Sequence, residues 1–370
     1  MNTVDLLLAL LERKSITPDD GGILEFIASY LDEYEPIWCN QNGVKNLFLT
    51  RKFQDEGIHF CFAGHVDVVP PGDGWDTDPF VPRVEDGVIY ARGAQDMKSG
   101  VAAMTTALKQ ASDFQGRLSL LLTSDEEGDA VDGTQAVLEH LRDINLLPDY
   151  SIVAEPTCEV KFGDAIKVGR RGSVNGTVWI EGRQGHVAYP EKSLNPVDIL
   201  APRLSLLSGA KLDSGDEVFA PSQIVVTDIR GGMEVTNVTP SSVKLMFNIR
   251  NSTKTTIEDI RLYIEDIFDN TQFRLELKQS AFPFVTKSDS LIASTLIDSI
   301  NSLCHVVPKC STAGGTSDAR FIANYGIEVV EFGVKNDRIH GANECVAIED
   351  VEALHGVFCN VISNLDKASK

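Results

Sequence analysis

The chain has 370 residues, 43% hydrophobic and 24% charged, an ordinary globular composition that excludes disordered, collagen-like and mucin-like proteins and predicts two domains, or three. Its 33 basic and 54 acidic side chains leave a net charge of −21, so phosphate backbones and anionic lipid are repelled and nucleic acid and membrane surfaces are excluded as partners.

The longest aliphatic run, residues 6–11, is far short of the ~20 apolar residues of a membrane span. The first residues carry no basic stretch and no small-residue cleavage site, so no signal peptide is expected. Seven cysteines without a CxxC pair read as a reduced, cytoplasmic protein without a disulfide framework.

In chain order, residues 4–12 and 23–33 read as helices. Strand-like apolar runs at 59–63, 88–91, 118–123, 151–154 and 328–332 then alternate with helices at 99–110 and 133–141, the pattern of an α/β domain. The character changes near residue 172. Residues 173–182 alternate apolar and polar, as in a half-exposed strand. A helix is predicted over 195–208, with Pro202 expected to kink or end it. Strands at 223–229 and 243–250, a helix at 256–268 and a strand at 272–279 complete a β-α-β-β-α-β order, the ferredoxin-like plan. From about 285 helix and buried-strand character returns. There is no internal repeat and no low-complexity linker. The expectation is an α/β domain with a mixed sheet, residues 1–172 and 285–370, interrupted by an inserted α+β domain, residues 173–284.

Acids and histidines fall at strand ends, where open α/β sheets build their sites. His65 and Asp67 follow the run at 59–63. Asp96 follows 88–91, Asp125, Glu126 and Glu127 follow 118–123, Glu155 follows 151–154, and His340 lies beyond 328–332. Singly, each has a plain structural reading: Asp96 as the N-cap of the next helix, Thr123-Ser-Asp-Glu-Glu-Gly128 as a solvated turn. His59, His140, His305 and His355 keep such readings. Chance does not account for five metal-competent side chains at five strand ends. Two histidines and three carboxylates without thiolate suit zinc, cobalt or manganese. Five ligands exceed the three of a single catalytic zinc and suit two ions ~3.5–4 Å apart sharing a carboxylate. Two divalent ions would offset Asp96, Glu127 and Glu155, which repel one another in an empty site. Glu126, next to a ligand, is suited to take a proton from an activated water. Asp67, two residues from His65, is expected to accept the second imidazole N–H and fix its tautomer.

Several stretches carry a family resemblance: Gly64-His-Val-Asp-Val-Val-Pro-Pro-Gly-Asp73, Ala91-Arg-Gly-Ala-Gln-Asp-Met-Lys98, Thr123 to Gly128, Gly169-Arg-Arg-Gly-Ser173, Gln184-Gly-His-Val-Ala-Tyr-Pro190, Gly314 to Ala323 and Ile339-His-Gly-Ala-Asn-Glu-Cys-Val346. With these the chain resembles the co-catalytic zinc amidohydrolases that include aminoacylase, acetylornithine deacetylase and glutamate carboxypeptidase. The resemblance implies a zinc-peptidase-like catalytic domain, two zinc ions per subunit with cobalt able to substitute, and hydrolysis of an amide in a small acylated substrate. It assigns His65 and Glu155 to one ion, Glu127 and His340 to the other, and Asp96 to both, with a cis peptide at Asp96–Met97. It makes Glu126 the base. It makes the inserted domain a dimerisation domain whose His186 reaches the partner subunit's site to stabilise the oxyanion, in an active homodimer. Arg170, Tyr189, Asn237, Arg250, Thr316 and Asn336 fall where the family grips its substrate. Two substrate-side stretches, 231–237 and 333–336, depart from the family pattern.

Three other readings compete. Another amidohydrolase of the same family, an acetylornithine deacetylase or a dipeptidase, is nearest. A serine hydrolase would use Ser317 of Gly-Gly-Thr-Ser-Asp, a segment that lacks the G-x-S-x-G elbow. A non-catalytic metal-binding scaffold would have no use for Glu126.

Overall fold

A computed structural model describes residues 1–368. The chain divides into two compact units. The first comprises residues 1–169, 285–311 and 315 to the end of the described chain; the second comprises 170–284 and 312–314. Residues 170–172 and 312–314, which the sequence reading leaves with the first domain, thus group with the inserted segment.

The first unit is built on an eight-stranded mixed sheet. Edge to edge the strands are Glu35–Trp38, Asn46–Lys52, Gly116–Thr123, Ile58–His65, Tyr150–Val153, Glu328–Glu331, Ala165–Lys167 and Lys309–Ser311. The four from Gly116–Thr123 to Glu328–Glu331 run parallel. Both faces of a parallel strand are covered, so such strands read as continuous apolar runs. Phe60, Phe62, Leu118, Leu120, Leu122 and Ile152 are accordingly buried. The register sets His65 opposite Thr123 and Ala63 opposite Val153, so three carboxyl ends finish side by side.

Helices Thr3–Leu11, Lys98–Gln110, Leu291–Cys304 and Ile348–Ala368 pack into the core with this sheet. The first begins where Asn2 accepts the Asp5 N–H at 2.8 Å, and the third where the Ser290 hydroxyl accepts the Ala293 N–H, each satisfying an amide that the first turn leaves unpaired. Close approach is enforced at two glycines. A Cβ on Gly100 would lie 2.4 Å from the Ala154 carbonyl oxygen, and one on Gly333 would lie 2.4 Å from that of Glu155. Only glycine lets the Lys98–Gln110 helix and the 333–344 loop pack onto the end of the strand Tyr150–Val153. A three-stranded sheet, Cys345–Ala347, Val88–Tyr90 and Arg83–Glu85, stands apart from the large one. Asp96 therefore follows a strand of the small sheet, whereas the sequence reading treats all five strand ends alike.

The second unit is a four-stranded antiparallel sheet in the order Gln223–Gly231, Ser242–Arg250, Ser173–Glu181, Phe273–Ala281, with helices Pro196–Leu207 and Ile257–Ile267. This is the ferredoxin-like arrangement. Alternate residues Val174, Val178, Ile180, Leu245, Phe247 and Ile249 enter its core with Leu200, Leu207, Ile260 and Ile264. Thr256 and Asp259 form a capping box at the start of the second helix. The first helix is begun by the Asn195 side chain and Pro196, and it continues through Pro202 to Leu207, so Pro202 does not end it. Pro202 and Asp198, whose carbonyl loses its intrahelical partner, are both exposed. The proline thus lies on the exposed face, while Leu200 and Leu207 anchor the buried one.

Candidate metal centre

Five elements of the first unit deliver the side chains singled out above. His65 ends the strand Ile58–His65; Glu126 and Glu127 follow Gly116–Thr123; Glu155 follows Tyr150–Val153. Asp96 lies at a cis Asp96–Met97 peptide just before the helix Lys98–Gln110, and His340 sits in the 333–344 loop with φ +62°. That helix is capped at Met97 with no side-chain bond, so Asp96 is not spent as an N-cap. Its Oδ1 lies 3.2 Å from His65 Nε2 and its Oδ2 3.2 Å from His340 Nε2. Glu127 Oε1 is 3.0 Å from His340 Nε2, Glu155 Oε1 is 3.7 Å from His65 Nε2, and Glu126 Oε2 is 4.0 Å from the same nitrogen. Among the described residues, two sets bring one ligand atom from each member within 4.8 Å of one another: His65, Asp96 and Glu127; and His65, Glu126 and Glu155.

The tautomer of His65 is fixed. Its Nδ1 donates to the main-chain carbonyl of Asp67 at 2.9 Å, so in the neutral ring Nε2 presents a lone pair toward Asp96 and Glu155, the state a metal ligand needs. The sequence reading gives this task to Asp67, and its carbonyl rather than its carboxylate performs it. The carboxylate lies 3.6 Å from Nδ1 and serves instead as an acceptor for the Glu126 N–H at 3.4 Å and the Glu127 N–H at 3.1 Å. Asp67 thus aligns the two glutamates. Asp125 does not join them; it accepts the Val131 and Asp132 amides and shapes the turn.

Electrostatics identify the group that fits here. Burial, followed by the charges of Asp318, Asp96 and Glu127 against the opposing pull of His65, pushes Glu126 up to about 8. Burial, with Asp96 as the leading like charge, raises Glu155 well above the carboxylate range. Burial alone would lower His65, yet Asp96, Glu155, Glu126 and Asp67 raise it far above the imidazole range. Hydrogen bonds to Asp96 and Glu127 bring His340 up to about 10. Acceptor oxygens facing histidine nitrogens across 3–4 Å hold protons where no other cation is supplied. A divalent ion accepts those lone pairs from both partners and removes the repulsion. The donor set, nitrogen and oxygen with two carboxylate oxygens aimed at different histidines, fits divalent metal.

The remaining candidates fall in different places. Thr316 and Asn336 belong to the first unit, the former half-buried and the latter exposed. Arg170, His186, Tyr189, Asn237 and Arg250 belong to the second. There His186 Nδ1 accepts the Ala188 N–H at 3.1 Å, which leaves Nε2–H as the donor of the neutral ring. Gly185–His186 pairs with Val238–Thr239, beside Asn237, and the Tyr189 ring lies 5.9 Å from that of His186. Arg170 is buried and donates to the Ala313 carbonyl at 3.2 Å. Ser317 is buried with its hydroxyl donating to Glu331 at 2.8 Å, a bonded core serine rather than a nucleophile.

Sequence reasoning passed over Glu344, Arg92, Gln95 and Asp318. Glu344 and Arg92, each 1% exposed, form a buried ion pair at 2.7 Å. Asp318 is buried beside Glu126, bound to the Thr134 hydroxyl. The one available signal was an ionisable residue inside a stretch already marked by a ligand: Glu344 four residues after His340, Arg92 four before Asp96.

Comparisons with known proteins follow the same lines. The family model for Peptidase family M20/M25/M40 matches residues 61–364. The chain is 61% identical over 362 residues to the succinyl-diaminopimelate desuccinylase of Sulfurovum sp. (strain NBC37-1), covering 98% of each protein. It is 58% identical over 362 residues to the protein of the same name from Nautilia profundicola, covering 98% of this chain and 99% of that one. Among solved structures, aminopeptidase PepT from Bacillus cereus shares the fold with a TM-score of 0.81 at 20% identity, over 98% of each chain.

Proposed function

The chain belongs to peptidase family M20/M25/M40, and from that premise we propose that it hydrolyses N-succinyl-L,L-2,6-diaminopimelate to succinate and L,L-2,6-diaminopimelate, a step toward diaminopimelate and lysine. The observation that carries this reading is the identity to desuccinylases along nearly the whole of both chains. The stretches 169–173, 184–190 and 314–323 on the substrate side add to it.

In this reading His65, Asp96, Glu127, Glu155 and His340 are the residues that would hold two zinc ions, or cobalt in their place. Bound there, they would supply Lewis acidity toward the amide carbonyl and a water. Glu126 takes the proton of the attacking water and returns it to the leaving amine. Asp67 keeps Glu126 and Glu127 in register through their amides. His186, with Nε2–H free to donate, stabilises the oxyanion across a homodimer, a contribution of about 3 kcal/mol for one such donor. The substrate carries three carboxylates and the chain −21, so long-range steering opposes binding and a local positive patch must overcome it. Arg170 and Arg250 supply guanidinium forks that match carboxylates, with Tyr189, Asn237, Thr316 and Asn336 as further contacts. A reduced cytoplasmic setting accords with seven cysteines that are all free.

A substrate panel tests this. Succinate release from succinyl-diaminopimelate should exceed turnover of acetylornithine and of dipeptides by at least about 100-fold in kcat/KM. Preferential turnover of acetylornithine or a dipeptide would replace the substrate assignment with the rival activity of the same family.

A further inference from the structure

We infer that Glu344 is a positioning residue that locks the Asp96 loop to the His340 loop and so sets the separation of the two ligands. The 92–96 segment belongs to no helix or strand, so its amides need other acceptors. The Glu344 carboxylate supplies them. Its Oε1 accepts the Gln95 N–H at 2.7 Å and the Asp96 N–H at 3.0 Å; its Oε2 accepts the Gly93 N–H at 2.9 Å and Arg92 Nη1–H at 2.7 Å. Four donors on one buried carboxylate offset part of its desolvation and occupy the lone pairs a ligand would use.

The same group reaches His340 through its ion-pair partner. Arg92 Nη2 donates to the His340 carbonyl at 3.3 Å and to that of Pro71 at 3.1 Å. His340 has φ +62°, a conformation that a β-carbon disfavours and that the surroundings must hold in place. Gln95 adds two ties, donating to Asp337 at 2.6 Å and accepting the Arg338 N–H at 3.0 Å. Asp96 and His340 are 244 positions apart in sequence and meet at 3.2 Å; this strap joins their backbones.

The inference rests on the proposed metal site, and its test separates the two. Zinc affinity is measured by competition with a chromophoric chelator, well below every unfolding midpoint, for wild type, Glu344→Gln, Arg92→Lys and Leu296→Ala. Glu344→Gln sets an amide NH2 against an N–H or a guanidinium, and zinc affinity should fall about 10–100-fold. Saturating zinc should restore kcat at unchanged substrate KM. Arg92→Lys keeps the charge but loses the fork to His340, and it should weaken zinc by about tenfold; it carries the test if the Gln variant does not fold. Leu296→Ala, a core truncation, should lose stability and keep wild-type zinc affinity. Wild-type affinity in both loop variants would overturn the inference, as would an equal loss in Leu296→Ala. A wild-type protein that binds no zinc would instead overturn the metal reading, and the inference with it.

Discussion

The two carboxylate oxygens of Asp96 face different histidines, Oδ1 toward His65 and Oδ2 toward His340, each at 3.2 Å. One side chain thereby ties a strand-end histidine to a loop histidine. Asp96→Asn replaces one of these acceptors with a donor. Zinc binding should weaken by more than about 100-fold, beyond the range of supporting residues, as read by metal content after gel filtration. Full retention of metal would remove Asp96 from the ligand set.

Glu126 Oε2 lies 4.0 Å from His65 Nε2, and the Glu126 amide is held by Asp67. Glu126→Gln keeps the side chain's shape and removes its capacity to take a proton. Metal content should stay at wild-type level while kcat falls by about 10²–10⁴-fold. A kcat within threefold of wild type would exclude it as the base.

Ser317 is the nucleophile of the rival hydrolase reading, yet its hydroxyl is committed to Glu331. Ser317→Ala should cost about 1 kcal/mol of stability and leave kcat within about tenfold. Loss of all turnover with intact metal content would revive the serine reading.

Arg250 stands near enough to Arg171 that, after burial, its charge lowers the Arg171 guanidinium. Two cations within electrostatic reach of each other favour an anion nearby. Arg250→Lys retains charge and loses the bidentate fork. A fall in kcat/KM of at least about tenfold is expected, with stability within ~0.5 kcal/mol of wild type. Unchanged kcat/KM would make Arg250 an ordinary surface charge.

His59, paired with Ser119 at 2.8 Å, is held down to about 4, by burial first and then by the charge of Arg117. The folded value lies below the unfolded one, so the contribution to stability is complete above about pH 6.5. It is lost as pH falls toward 4. At most about 3 kcal/mol is involved, less the part that solvent screens at this half-buried ring. In urea unfolding from pH 7 to pH 4, His59→Gln should lose less stability than wild type. Parallel pH profiles would contradict this.

Periodicity was enough to read the parallel strands and the ferredoxin-like order, because apolar runs such as Phe60–Phe62 and alternation such as Val174–Ile180 report directly on which faces are covered. Pro202 does not end its helix, because it falls on the exposed face while Leu200 and Leu207 hold the other face in the core. The acids and histidines were legible because a strand end is a position in sequence as well as in space. Glu344 and Arg92 were not, since their work is done through main-chain amides and carbonyls, which carry no signature in the side-chain alphabet. For the same reason the sequence names Asp67 as the partner of His65 but does not tell that its carbonyl is the acceptor.

The most direct test is a metal titration of chelator-stripped protein, following bound zinc per chain and succinate released from succinyl-diaminopimelate in the same samples. The predicted result is activity that is absent without metal, rises with added zinc and saturates near two ions per chain, with cobalt substituting. Undiminished succinate release from metal-free protein, or a chain that takes up no divalent ion, would contradict the account.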